Sequence, residues 1–361
     1  MRVTAVDNFN DFLALEEKWK KVLQQSNHTI FQTWEWLSTW WRHFGKGKRL
    51  LVLLAEVDGE ILGIAPLMYS VESKFGVRQG IIEFIGTGHS QYNDFILRAH
   101  DQQCIQMFFD YLNKLPYRWT YAKLVDIPSE SKYLPQISNR TAIGRTILDL
   151  ALPATYEGLS QNVKGKDRRE FRRNLRRLEE NGFKVELVDY STGGLVTKGM
   201  NTLFELHQKR WRSKGGFRGM FAEPAFCKFS LDIAKCFSEK KWLGLYCLEI
   251  SGKPAATIVG FKYFSKFICF FSGLDPIYTK FSSGNILYWL AIPKLIQEGF
   301  VDFDFGVGID NYKWQWRPIE THNLDVTYLR KQEFANTNYW LYEKYCKTGI
   351  LLRNLARIPK K

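Results

Sequence analysis

Apolar and acidic side chains alternate strictly along residues 301–305. Val301, Phe303 and Phe305 fall on one face and Asp302 and Asp304 on the other, the period of a half-buried strand. Gly306 and Gly308 follow and end the strand, since glycine alone takes a positive φ without steric cost. Asp310, Asn311, Tyr312 and Lys313 then crowd together, with Trp314 and Trp316 two apart. The pattern admits two readings, a site at a strand end or a plain strand, turn and strand.

Elsewhere the pattern switches between periods of three to four and of two. Phe9, Phe12, Leu15, Trp19 and Leu23 predict a helix over 7–25, and Trp36, Trp40 and Phe44 a second, with Thr33 as its N-cap. Strands are expected at 50–56 and 60–69, joined by the two-residue turn Asp58-Gly59, and at 77–85, 94–97 and 121–127, with a helix over 102–115 between the last two. The order then recurs. A helix over 225–238 precedes strands at 243–249 and 253–263, joined at Ser251-Gly252, then a strand at 267–273, a helix over 285–298 and the strand at 301–305. Helix, hairpin, strand, helix and strand therefore occur twice, which predicts two tandem α/β units with mixed sheets. The expected boundaries are 1–150 for the first unit, 151–182 for a connecting segment, 183–332 for the second unit and 333–361 for a basic helical tail.

The connecting segment carries six arginines on one predicted helix. Arg168, Arg172 and Arg176 form one row and Arg169, Arg173 and Arg177 the next, while Phe171, Leu175 and Leu178 make a narrow apolar seam. Adjoining arginine rows repel each other. A phosphate-bearing ligand or polyanion would relieve that repulsion, and a fully solvated face is the alternative. The tail over 335–361 reads as a helix that either packs on the second unit or meets a membrane surface.

Composition narrows the class. The 361 residues are 45% hydrophobic and 16% aromatic, enough for folded cores throughout. No apolar run approaches the about 20 residues of a membrane span, and the first residues lack a signal-peptide core, so a cytoplasmic protein is expected. The six cysteines and six histidines show neither Cys-x-x-Cys nor His-x-x-x-His, so no metal site is expected. A net charge of +14 predicts attraction to nucleic acid, anionic lipid or phosphorylated substrates without selecting among them.

Several segments carry a family resemblance. They are Phe31-Gln-Thr-Trp-Glu-Trp, Gly63-Ile-Ala-Pro-Leu-Met, Tyr92-Asn-Asp94, Leu206-His-Gln-Lys-Arg-Trp211, Gly273-Leu-Asp-Pro276, Ser283-Gly284, and Asp304-Phe-Gly-Val-Gly-Ile-Asp-Asn-Tyr-Lys313 with Trp316. In order and spacing the chain resembles GNAT-type acyltransferases, and more closely the acetyltransferase-like family associated with bacterial cellulose and exopolysaccharide clusters, which is related to the Fem peptidyltransferases. The Asp-Tyr-x-Asp segment lacks its first Asp, and Ser283 stands where the turn has Pro.

The resemblance implies a strand splayed from its neighbour to admit the pantetheine of acyl-CoA, with pyrophosphate on the next helix N-terminus. That place is Ser282, Ser283, Gly284 and Asn285, although the usual glycine-rich loop is missing. The expected function is transfer of an acetyl or similar group from acyl-CoA to an amine on an amino-sugar or polysaccharide precursor. His207 and Asp304 are the candidate bases and Lys313 the candidate oxyanion donor. Tyr312, Arg210, Trp211, Tyr92, Asp94, Arg172 and Arg176 are candidates for binding substrate. Two alternatives stay open: a Fem-like transferase using aminoacyl-tRNA, and a non-catalytic accessory protein of a polysaccharide assembly that docks through its basic surface, on a partner or on the inner face of an anionic membrane.

Overall fold

A computed structural model describes residues 1–74, 77–98, 102–131, 140–213, 215 and 219–330, so the expected tail lies outside the described residues. The chain resolves into two compact units, Met1–Gly144 with the chain from Asn323, and Arg145–His322.

The first unit opens with β1 (Arg2–Val6), α1 (Phe9–Leu13) and α2 (Glu16–Leu23), where the sequence suggested one helix over 7–25. It continues through α3 (Trp34–Phe44), β2 (Arg49–Val57), β3 (Glu60–Lys74), β4 (Val77–Phe84), β5 (Ile96–Leu97), α4 (Gln102–Asn113) and β6 (Tyr121–Ile127). The Thr33 side chain accepts from the Trp36 N–H and so caps α3 as expected. The aromatic stripe of α3 is core. Trp36 Nε1 donates to Ser90 Oγ at 2.9 Å and Trp40 Nε1 to His89 Nδ1 at 2.9 Å, which satisfies both buried indoles. On α4, Cys104, Ile105, Phe108, Phe109 and Leu112 repeat at helical spacing and are buried against the sheet.

In the second unit, β7 (Arg140–Ala151), which begins before the boundary, leads to α5 (Tyr156–Asn162), α6 (Gly165–Glu180), β8 (Val185–Asp189), α7 (Leu195–Ser213) and α8 (Pro224–Glu239). Then come β9 (Leu243–Ile250), β10 (Lys253–Tyr263), β11 (Lys266–Leu274), α9 (Ser283–Gln297) and β12 (Asp302–Val307), followed by β13 (Ile319–Leu329), most of which lies past the boundary at Asn323 in the first unit. The sheet of this unit runs β7-β12-β11-β10-β9-β8, and that of the first β1-β2-β3-β4-β6-β13.

The repeat is structural. Helix, hairpin, strand, helix and strand are α3, β2–β3, β4, α4 and β6 in one unit and α8, β9–β10, β11, α9 and β12 in the other. Both hairpins turn on two residues with positive φ, Asp58 (50°) and Gly59 (85°), and Ser251 (49°) and Gly252 (74°). This primed turn matches the twist of the strands it joins. In each unit the last strand lies parallel to the third and pairs only briefly. Ile81 and Ile82 face Tyr121 and Ala122, and Lys266 to Ile268 face Asp302 to Asp304.

The unit boundaries differ from those read in the sequence. α6 belongs to the second unit, where Leu178 is fully buried and Phe171 stacks on Trp289 at 4.8 Å. The chain from Asn323 returns to the first unit, where Leu324 to Leu329 pair antiparallel with β6. The conformation around β12 also departs from the half-buried pattern. The strand lies between β7 and β11, and Phe303 and Asp304, which point to opposite faces, are both fully buried.

Candidate active site

The pairing of β11 with β12 ends at Ile268 and Asp304, after which β11 runs on to Leu274 and β12 to Val307 without further pairing between them. Beside the unpaired stretch of β11, a pocket of about 220 Å³ opens against β10 and the first turn of α9. Its floor is Thr257 and Ile258 of β10 and Ser272, Gly273 and Leu274 of β11, and Tyr288 and Tyr312 also line it. Ser282, Ser283, Gly284 and Asn285 line it on the helix side.

The start of α9 turns without a glycine-rich loop. Ser282 itself takes the left-handed conformation (φ 55°, ψ 44°) and turns the chain into α9. Gly284 has no positive φ, and a Cβ there would approach only Leu274, at 4.0 Å. The N–H groups of the first turn of a helix have no intrahelical acceptor, and Ser283, Gly284 and Asn285 of that turn line the pocket. The entry to α9 is anchored by Asp275, whose Oδ1 accepts from Ile277 N–H and whose Oδ2 takes 2.9 Å donation from Lys209 of α7.

Tyr312 lies in the pocket wall, its ring stacked on Tyr288 at 5.4 Å and its hydroxyl 3.2 Å from the Tyr288 hydroxyl. The Tyr288 hydroxyl lies 3.7 Å from Cys269 Sγ. Burial, the largest cause, raises both phenols above their usual range and lifts the Cys269 thiol to about 11, so all three are neutral at physiological pH. Because one hydroxyl of the pair donates to the other, the receiving one keeps its own proton to donate elsewhere. Arg210 adds a cation, donating through Nη1 to Ser272 Oγ at 3.1 Å.

Other expected residues lie elsewhere. Lys313 does not line the pocket. It is 2% exposed and turned back on its own strand end, where Nζ donates to the carbonyls of Gly306 (3.3 Å), Val307 (3.2 Å) and Gly308 (2.9 Å). Its three protons are thereby used. The register of β12 against β7 breaks between Asp304 and Val307, which leaves those carbonyls in need of a donor. Burial pulls the Lys313 pKa below its usual value, and Asp304 and Asp310 oppose that shift. Asp304 also stays out of the pocket. Its Oδ1 accepts from Gly306 N–H at 2.7 Å, and its charge acts on Lys313 and Lys266.

His207 is likewise committed. Its Nε2 accepts from Trp211 Nε1 at 3.0 Å, so the ring proton sits on Nδ1, which is buried without a partner among the described residues. Burial and then the Arg210 charge push its pKa down to about 4. An imidazole whose lone pair is taken by an indole cannot accept a substrate proton there. Its backbone packs closely too, since a Cβ on Gly273 would fall 2.7 Å from His207 N. Tyr92 and Asp94 belong to the first unit, where the Tyr92 carbonyl accepts from Gln32 Nε2 and Asp94 accepts from Phe95 N–H and Ser131 Oγ. Arg172 and Arg176 are exposed on α6 and do not line the pocket.

Sequence reasoning missed Thr257, Ser272 and Tyr288. The first two were visible as polar residues in otherwise apolar strands, and Tyr288 was hidden in a helix apolar on most sides.

Comparison with known proteins fits this geometry. No curated protein matches the sequence. Residues 165–314 match the family model described as acetyltransferase (GNAT) domain, a span that begins with α6 and contains the whole pocket. Among solved structures, FemX superposes with a TM-score of 0.62 at 12% identity, covering 95% of this chain and 99% of its own. The C-terminal domain of a putative lysylphosphatidylglycerol synthetase from Agrobacterium fabrum gives 0.54 at 13% identity, covering 94% and 97%. A tandem GNAT protein from the clavulanic acid biosynthesis pathway gives 0.50 at 8% identity, covering 92% and 100%, in keeping with the two units. Residues 165–314 thus match a GNAT acetyltransferase domain, and an acyltransferase of the GNAT superfamily is the enzyme class this span resembles.

Proposed function

We propose that the second unit transfers an acyl group, acetyl in the simplest case, from acyl-CoA to a primary amine on an amino sugar or a related polysaccharide precursor. The observation that carries this reading is the pocket beside the stretch of β11 that no longer pairs with β12, lined both by the first turn of α9, Ser283 to Asn285, and by the paired hydroxyls of Tyr288 and Tyr312. The N–H groups and helix dipole suit the donor's phosphates. Tyr312, supported by Tyr288, donates to the thioester carbonyl oxygen as negative charge develops there. The amine nitrogen attacks the carbonyl carbon, the carbon–sulfur bond breaks, and the electron pair leaves on sulfur as CoA thiolate.

The lining residues include neither carboxylate nor imidazole among those described, so the amine enters uncharged and its proton passes to water. The test is thermal shift and product formation with acetyl-CoA and amino-sugar acceptors. A CoA thioester at 100 times its Kd stabilises by about 2.7 kcal/mol. Turnover should rise with pH up to the acceptor's pKa, with no inflection from His207. The absence of both stabilisation and product would overturn the reading.

A second reading, an aminoacyl-tRNA donor, draws on the fold likeness to FemX and on α6. Arg172, Arg173 and Arg176 are exposed there, while Phe171 and Leu178 hold the opposite face in the core. Changing those three arginines to Gln should leave the melting temperature unchanged and weaken tRNA binding most at low salt. An anionic membrane at which a polysaccharide precursor is handled would meet the same face, and vesicle binding by the same variant separates the two. Binding that stays constant at every salt concentration would make these arginines a solvated surface.

A further inference from the structure

The first unit contains a larger concavity, of about 680 Å³, that acyl transfer does not use. It lies at the connection from α3 to β2, whereas the counterpart of the acyl pocket in this unit would lie over β3, β4 and the start of α4. It is therefore not a second copy of that pocket.

Its construction begins at Gly45. A Cβ there would fall 2.6 Å from both Cε2 and the carbonyl of Trp41, so only glycine lets the chain leave α3 across the indole. Gly47 (φ 81°) then reverses the chain, and Lys48 N–H donates to the Gly45 carbonyl at 3.0 Å. This tight turn brings Lys46 and Lys48 to the same hollow as Arg42, from the end of α3, and Arg49, from the start of β2. One carboxylate, Asp7, faces the four cations. None of the four makes an ion pair among the described residues, whereas Arg2, Lys20 and Arg98 of the same unit each do.

The other walls are aromatic. Trp41 is half-buried, and its indole N–H has no acceptor among the described residues. Tyr117 is held between the Tyr69 ring at 4.8 Å and the Arg49 guanidinium at 5.5 Å. Four cations gathered about a single carboxylate repel, and a multiply charged anion offsets that cost. Half-buried aromatic faces bind planar rings by stacking. A lipid headgroup or free phosphate satisfies the first requirement alone, and a nucleoside satisfies the second alone.

We propose that this concavity binds a nucleoside phosphate, with its phosphates on Lys46, Lys48, Arg42 and Arg49 and its base against Trp41. The assignment is independent of the acyl-transfer reading.

Isothermal titration of the full chain with ADP and UDP, against adenosine, uridine and inorganic pyrophosphate, tests it. Each diphosphate should bind at least about tenfold more tightly than pyrophosphate or its nucleoside. The double variant Lys46→Gln/Lys48→Gln should weaken nucleotide binding by about tenfold to a hundredfold, as loss of charge-assisted bonds requires. Trp41→Leu should weaken nucleotide but not pyrophosphate binding, with melting temperatures confirming that each variant folds. Saturating acetyl-CoA should leave ADP bound, which separates this site from the acyl pocket. Pyrophosphate binding as tightly as ADP would reduce the site to a simple anion patch. Unchanged binding in the lysine variant, or binding to RNA or anionic vesicles alone, would overturn the proposal.

Discussion

Lys313→Ala should lower the free energy of unfolding by about 2–4 kcal/mol, measured by chemical denaturation, because it leaves three carbonyls at the end of β12 without their donor. Lys313→Met keeps most of the stem's volume and removes the ammonium, so a loss of similar size would assign the effect to the hydrogen bonds and not to packing. A surface lysine would cost within about 0.5 kcal/mol, and that result in both variants would remove the role assigned here. The lysine thus acts on chemistry only through the Gly306–Gly308 turn that it holds, which sets the approach to Tyr312.

Tyr312→Phe should leave the melting temperature unchanged and lower kcat/KM for acyl transfer by roughly tenfold to a hundredfold, equivalent to about 1.4–2.7 kcal/mol of transition-state stabilisation. The ring stays stacked on Tyr288, and only the hydroxyl in the pocket wall is lost. The loss should fall mainly on kcat, since a donor aimed at developing charge matters little to the ground state. Tyr288→Phe should give a smaller decrease, because that hydroxyl supports Tyr312. Full activity in Tyr312→Phe would remove the phenol from the mechanism and leave the helix N–H groups and Arg210 as the remaining donors.

The elements and their repetition were legible because each hairpin and amphipathic helix writes its period locally. Asp58-Gly59 and Ser251-Gly252 announced their turns, and the α9 start was found at Ser282 to Asn285. The residues expected to act chemically were harder to read. Asp304, Lys313 and His207 have the right functional groups, yet each is taken by a near neighbour: the Gly306 N–H, three carbonyls and the Trp211 indole. Alternation marked β12 as a strand, but the burial of its second face at Asp304, and its ladder partners β7 and β11, depend on parts of the chain remote in sequence. The same holds for the unit boundaries. Nothing near Leu324 signals that its partner is Ile127.

That pairing has a consequence for biosynthesis. β6 lies between β4 and the segment from Leu324 to Leu329, so until the latter is made one edge of β6 is uncovered. From Ile127 to Leu324 is 197 positions (324 − 127), all of the second unit among them. At about 5–20 residues per second, a ribosome takes roughly 10–40 s to cover that interval. The unit begun first is therefore finished last. Over that time Tyr121-Ala-Lys-Leu-Val-Asp-Ile127 presents an open strand edge, the kind of surface that pairs with other nascent chains. The second unit can close its own sheet before residue 329 emerges, so a stalled or truncated chain would carry an intact acyltransferase unit beside an incomplete partner that chaperones must hold.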